Sequence, residues 1–380
     1  MDFTDRVRRV EPSATLAVSN LANELEAEGK DVVDLSVGEP DFDTPQNIKD
    51  AAEDALEAGH TGYTSSNGIP ALREAIASKL QGDGLDYEAG NVIVTPGAKQ
   101  ALFETFQTVV DDGDEVVLLD PAWVSYEAMA KIAGGELNRV DLSPYDFQLE
   151  PALDDLAAAV SDDTELLVVN SPSNPTGAVY SRDAMEGVRD LAVDHDVTVI
   201  SDEIYQHINY GPEHVSLAGL DGMHERTVTI NGFSKAYAMT GWRLGYLAAP
   251  EALVDQAGKV HSHSVSSATN FVQHAGVEAI ENTEESVEEM VEAFEERREF
   301  LLDRFAEHGK DVPEPEGAFY AMLPVADDDQ QWCQDALKDA HVATVPGSAF
   351  GTPGYARISY AASKERLGEA VDRLANEGYL

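Results

Sequence analysis

Basic residues are scarce in this chain: 25 lysines and arginines stand against 71 aspartates and glutamates, a formal net charge of −46. A nucleic-acid backbone would be repelled, which disfavours DNA or RNA as a partner. Cysteine is nearly missing. The single Cys333 excludes an internal disulfide framework and fits a reducing cytosol. It precedes an amphipathic stretch and reads as a half-buried small residue, not a nucleophile. No segment approaches the roughly 20 consecutive apolar residues of a membrane helix. The start, MDFTDRVRRV, has no apolar signal stretch. The expectation is a cytoplasmic protein with no membrane contact, no repeats, no low-complexity segment and no metal.

The acids run along the whole chain, as in EDALEAG, DDGDEV and ENTEESVEEM, while apolar periodicity continues between them. That pattern describes a folded protein with a carboxylate coat, not a disordered acidic tail. Self-repulsion of this size opposes compactness in ordinary buffer. Molar salt shortens the screening length to roughly 3 Å and removes most of that cost. A salt-loaded cytoplasm, as in a halophilic microbe, is therefore expected; a nucleic-acid mimic or acidic interaction protein is the other reading of the charge.

The length, 380 residues, suffices for two domains sharing a large core. Between about residues 90 and 250 lie the runs NVIVT, EVVLLD, LNRVDL, ELLVVN, VTVIS, TVTIN and RLGYLAA, short and apolar on both faces. They alternate with helical segments such as KQALFETFQTVV, WVSYEAMAKIA, PALDDLAAAV and SRDAMEGVRDLAVDH. The fold class is α/β: a mostly parallel seven-stranded sheet sandwiched by helices, plus a smaller α+β domain. Val287, Met290, Val291, Phe294, Leu301 and Phe305 predict one long amphipathic helix linking the two. The expected division is 41–284 for the large domain and 1–40 with 285–380 for the small domain and N-terminal arm.

Ligands of open α/β sheets bind beyond the carboxyl ends of the strands. Five polar loops fall there: PGAKQ (96–100), DPAW (120–123), NSPSNPTG (170–177), SDEIY (201–205) and NGFSK (231–235). Each has a plain alternative. Gly97 and Ala98 open a helix whose free N–H groups suit phosphate, but small residues there also make a tight turn. Trp123 has a flat face for stacking, or is core. Asn174 sits in a rigid Pro-rich loop, or an ordinary turn. Asp202 could be the N-cap of a helix over EIYQHI, with Tyr205 on the same face. Lys235 could be solvated, yet the chain has only 10 lysines and this one lies between apolar runs. Arg243 in GWRLGY and Arg357 in YARISYA enter apolar runs and need anionic partners, phosphate and carboxylate respectively. An amine and a carboxylate held at strand ends are what pyridoxal phosphate requires: the amine takes the aldehyde as a Schiff base, and the carboxylate keeps the ring nitrogen protonated.

Taken together, PSATLAV, VGEPDFDTP, YTSSNGIPALREAI from Tyr63, SNPTGAVY, SDEIY, SKAYAMTGWRLGY, GAFY and Arg357 resemble the class I/II pyridoxal phosphate-dependent aminotransferases of fold type I, most closely the prokaryotic aspartate branch, over nearly the full length. The resemblance implies Lys235 as the Schiff-base lysine and proton shuttle, and Asp202 on the pyridine nitrogen. It also implies Asn174 and Tyr205 on the ring hydroxyl, Trp123 stacked on the ring, and Gly97, Ala98 and Arg243 on the phosphate. Tyr63 would reach in from a partner subunit, making a homodimer with shared sites. Gly38 and Arg357 would hold the substrate α-carboxylate. Where many relatives carry a phosphate-binding Ser or Thr, three residues before the lysine, this chain has Gly232; Ser234 is the substitute.

Lys99 and Thr15 match positions that in the aspartate branch contact the distal carboxylate, favouring aspartate and glutamate with 2-oxoglutarate as acceptor. In molar salt a lone exposed lysine discriminates poorly, so this reading needs Lys99 partly buried. Aromatic, alanine or prephenate donors are alternatives, as is a C–S β-lyase that shares every cofactor residue. A non-catalytic pyridoxal phosphate-binding module is disfavoured by the presence of both Lys235 and Arg357.

Overall fold

The computed structural model describes residues 2–12 and 14–380, and for residues 14–16 the backbone alone. Its strands begin with β1 (Val33–Asp34), β2 (Val92–Thr95), β3 (Glu115–Asp120), β4 (Glu136–Asp141), β5 (Thr164–Asn170) and β6 (Thr198–Asp202). They continue with β7 (Thr227–Gly232), β8 (Gly245–Ala248), β9 (Tyr320–Pro324), β10 (Val342–Ala343), β11 (Val345–Pro346) and β12 (Tyr355–Ser359). All seven apolar runs become strands of one sheet, ordered β2-β8-β7-β6-β5-β3-β4. Only β8 runs against its neighbours, pairing antiparallel with both β2 and β7.

Alternate residues of the central strands enter different cores, which is why those runs are apolar throughout; the edge strand β4 departs from the expectation, with polar residues on both faces and Val140 alone buried. Val117, Leu119, Leu167, Val169 and Val199 pack on one face of the sheet. Val116, Leu118, Leu166, Val168 and Ile200 pack on the other. From β3 the chain moves outward to β4, then returns on the other side of β3 with β5, β6 and β7. The resulting switch point opens a crevice at the carboxyl ends of these strands.

The long helix spans Glu284–Glu307 and buries Val287, Met290, Phe294, Leu301 and Phe305, with Val291 half-buried. It packs with Phe319, Tyr320, Ile358 and Leu367 in a core that also takes Tyr205 and Ile208. β1 pairs parallel with β10, which ties the N-terminal segment to the C-terminal α+β unit. Cys333 is fully buried instead of half-buried, and burial pushes its thiol up to about 12. Among the described residues no helix is long and apolar enough to cross a membrane.

One segment departs from expectation. Residues 203–208 form turns, not a helix capped by Asp202. The Glu203 N–H still bonds Ile230 O of β7 at 2.8 Å, and Ile208 O accepts from the Ala318 N–H at 2.8 Å. Both ends are thus tethered to other elements, and a helix cannot propagate between them.

Candidate active site

The crevice holds a cavity of about 630 Å³. Its wall contains Gly38, Ala98, Lys99, Trp123, Asn174, Asp202, Tyr205, Ser234, Lys235, Arg243 and Arg357, eleven positions singled out from the sequence. Topology brings them together. Trp123 follows β3, Asn174 follows β5, Asp202 ends β6, and Lys235 lies three residues past β7. Arg243 precedes β8, and because β8 is the reversed strand its entry stands at the same edge as the other strands' exits. Arg357 arrives from β12 in the C-terminal unit.

Two glycines shape the anion cradle. Gly97 has φ +85° before the helix Ala98–Val109, and a Cβ there would lie 2.4 Å from Arg243 Nη2. At Gly245 a Cβ would lie 2.3 Å from the Ala98 nitrogen, so β8 can approach the helix N-terminus only without a side chain. Gly97 itself is buried behind the wall. Gly232 is explained in the same way: it pairs with Gly245, and a Cβ on it would stand 2.9 Å from the Gly245 Cα. A Ser or Thr does not fit there, and Ser234 is the hydroxyl the wall offers.

Lys235 is half-buried and donates to Gly38 O. Burial lowers its pKa to about 8, helped by the nearby Arg357 guanidinium and opposed by Glu39. Asp202 is fully buried, and desolvation raises its carboxyl to about 6 against hydrogen bonds from Tyr126 and the Ile204 N–H. The Tyr205 hydroxyl pairs with that of Tyr320 at 2.8 Å. Arg357, 3 % exposed, donates to Asn174 Oδ1 at 3.0 Å and to Ser36 O, lies over the Tyr320 ring, and leaves Nε without a partner among the described residues.

The remaining positions behave differently. Lys99 sits in the first turn of its helix at the cavity rim: the residue is exposed overall, while its ammonium is partly desolvated by the wall. Its ammonium stands 4.7 Å from the Trp123 ring centroid, where desolvation and then Arg243 lower its pKa. Tyr63 is 93 % exposed and outside the wall. The Thr15 side chain lies outside the described residues.

The wall also holds Ser19, Ser36, Glu39, Tyr126, Asn170, Thr240 and Tyr320, which sequence reasoning passed over. Asn170, the last residue of β5, donates to Asp202 O at 2.9 Å and accepts from the Asn174 N–H at 2.8 Å. Tyr126, one turn beyond Trp123, donates to Asp202 Oδ2 at 2.6 Å. Position at a strand end for Asn170 and helical spacing from Trp123 for Tyr126 were the available signals.

Lys99, Lys235, Arg243 and Arg357 line one cavity, and none has a carboxylate oxygen within 4.0 Å among the described residues. In so acidic a chain, four cations without carboxylate partners form a site for external anions. The donor set fits pyridoxal phosphate: an amine of depressed pKa, a buried carboxylate, a flat indole, and a helix N-terminus beside an arginine.

The comparisons with known proteins agree. The family model for aminotransferase class I and II matches residues 30–374. An aspartate aminotransferase of Geobacillus stearothermophilus is 42 % identical, covering 98 % of both chains. An aspartate/prephenate aminotransferase of Thermus thermophilus is 44 % identical, covering 97 % of both. Among solved structures, the aspartate aminotransferase from Thermus thermophilus with maleate superposes with a TM-score of 0.95 at 43 % identity over 99 % of each chain. An aromatic aminotransferase from Pyrococcus horikoshii gives a TM-score of 0.89 at 40 % identity, covering 94 % of this chain and all of that one.

Proposed function

The chain belongs to the class I and II aminotransferases, pyridoxal phosphate-dependent transaminases, and on that footing we propose that its amino donor is aspartate or glutamate and its acceptor a 2-oxo acid such as 2-oxoglutarate. The observation that carries this reading is the set of four cavity cations without carboxylate partners. Arg243, with the N–H groups at Ala98, takes the cofactor phosphate; Lys235 serves as the reactive amine. That leaves two cations for two substrate carboxylates, Arg357 for the α-carboxylate and Lys99 for the distal one.

When bound, the cofactor supplies an aldehyde that takes up an amine and a protonated ring that accepts the electron pair left at Cα. The chain's own groups do the rest. Trp123 would stack on the cofactor's ring, Asp202 would meet its nitrogen as an anion, and Asn174 and Tyr205 would hydrogen-bond its hydroxyl. Arg357 forks onto the α-carboxylate and, with the Gly38 backbone, fixes the orientation of the Cα–H bond. Lys235, neutral in an appreciable fraction near pH 8, would take up and hold the Cα proton as the general base.

Lys99→Ala is expected to lower kcat/KM for aspartate and glutamate by roughly tenfold to hundredfold, the worth of a charge-assisted hydrogen bond, while alanine and phenylalanine change less than about twofold. Single-turnover spectra of the cofactor against each donor, without acceptor, give the ranking; equal losses for all donors defeat the acidic-donor assignment. The aromatic aminotransferase among the relatives favours a second reading, in which Lys99 rests on Trp123 and an aromatic donor enters. The same spectra decide between them.

We further propose a homodimer in a high-salt cytoplasm. Tyr63, 93 % exposed on a single chain, is a large aromatic with no role unless a second copy receives it. The net charge of −46 requires screening to be tolerated. Sedimentation and melting curves from dilute to molar KCl test both: a dimer whose melting temperature rises by several degrees or more with salt is expected. A monomer at every salt concentration, or a melting temperature indifferent to salt, rejects the corresponding half.

A further inference from the structure

Tyr126 lies in the helix Val124–Ala133, and its ring meets Trp123 edge-on with centroids 5.4 Å apart. Its hydroxyl donates to Asp202 Oδ2 at 2.6 Å, while Asp202 Oδ1 accepts the Ile204 N–H at 3.3 Å. Tyr126 and Asp202 are both buried. A buried carboxylate stays ionised only if donors replace the water it lost. Of the two donors here, the phenol makes the shorter bond. The charged groups facing Asp202 oppose each other: Glu203 disfavours its ionisation and Lys235 favours it. The phenol's own pKa is driven well above 10 by burial and then by the Asp202 charge, so Tyr126 is a donor throughout the working pH range.

We propose that Tyr126 is a positioning residue for Asp202, holding this carboxylate ionised and oriented so that its free lone pairs receive the cofactor's ring N–H. The inference rests on the reading that Asp202 faces the ring nitrogen. Tyr126 also fills core space beside Ile93, Met129 and Leu118, and a space-filling role alone would need no hydroxyl. Tyr126→Phe separates the two roles, since it keeps the ring and its contact with Trp123 and deletes one oxygen.

The test measures binding of pyridoxamine phosphate to the cofactor-stripped enzyme by equilibrium dialysis across a pH series. This probe keeps the ring nitrogen and phosphate and has no aldehyde for Lys235. A carboxylate deprived of a donor holds its proton to higher pH, so in Tyr126→Phe the Asp202 midpoint should rise from about 6 by about one unit. The ratio of the variant's Kd to the wild type's, in which the probe's own titrations cancel, should be near one above about pH 8 and approach about tenfold below about pH 5.5. A ratio that does not change with pH overturns the inference and leaves Tyr126 a packing residue. Asp202→Asn supplies the control. If it binds the probe as well as the wild type does, the reading of Asp202 itself fails; if it binds weakly while Tyr126→Phe shows a flat ratio, only the role of Tyr126 fails. In the Asp202→Asn background, adding Tyr126→Phe should produce no pH-dependent change.

Discussion

Lys235→Ala is expected to lose transamination by about 10⁴-fold, the upper end of what a positioned proton-transfer group supplies, while still taking up cofactor. No other cation in the wall can replace it: the Lys99 ammonium rests on Trp123 at the rim, and Arg243 and Arg357 do not release protons at working pH. The sign of the pH dependence follows from the depressed pKa. An amine with pKa about 8 is protonated and unreactive below that value and free above it. Capture of added pyridoxal phosphate by the cofactor-stripped enzyme should therefore accelerate as pH rises through about 8, where an ordinary lysine would still be charged. Borohydride reduction of the wild type should fix the cofactor on the peptide carrying Lys235. A variant retaining more than about one hundredth of wild-type turnover, or an adduct on another lysine, refutes the assignment.

Arg357→Ala should lower kcat/KM by on the order of 10²–10³ for every amino donor, the cost of removing one partner of a buried ion pair. Uniformity is the diagnostic, because every donor carries an α-carboxylate and only aspartate and glutamate carry a second. The contrast with Lys99→Ala thus assigns the two cations independently. Some loss of stability accompanies it, since Asn174 Oδ1 and Ser36 O lose their donor in a buried setting. Arg357→Lys, which keeps the charge without the fork, should fall between wild type and alanine. Melting curves separate the structural cost from the catalytic one. Unchanged kcat/KM in a folded Arg357→Ala variant rules out α-carboxylate binding there.

Some of the site was readable residue by residue, and some was not, for reasons that differ. Asp202 and Lys235 stand next to apolar runs, so local pattern alone put them at strand ends. Arg243 looked out of place entering a strand, and the reversed direction of β8 accounts for it. Tyr126 and Tyr320 carry no such mark: an aromatic at helical or strand spacing looks like core, and only the meeting of Tyr126 with Asp202, 76 residues away, reveals a polar duty. Asn170 was overshadowed by the Pro-rich loop it begins, though its side chain bridges Asp202 O and the Asn174 N–H. Residues 203–208 misled for the opposite reason. Asp followed by helix formers favours a capped helix locally, but tethers to β7 and to Ala318 override a propensity worth only tenths of a kcal/mol per residue.

The central runs, apolar on both faces, left the chain no stable alternative to a sheet covered by helices, because hydrophobic burial is set by composition and periodicity. The motifs were enough to name the cofactor chemistry. Side-chain neighbours across long sequence separations were beyond reach, since they depend on strand order, on the single reversed strand and on the glycines that let β8 touch a helix N-terminus. Those features set the depressed pKa of Lys235, the raised one of Asp202 and the rim position of Lys99. Each of these is an energy of burial and charge in three dimensions, and a linear order of residues carries no distance between Arg357 and Lys235.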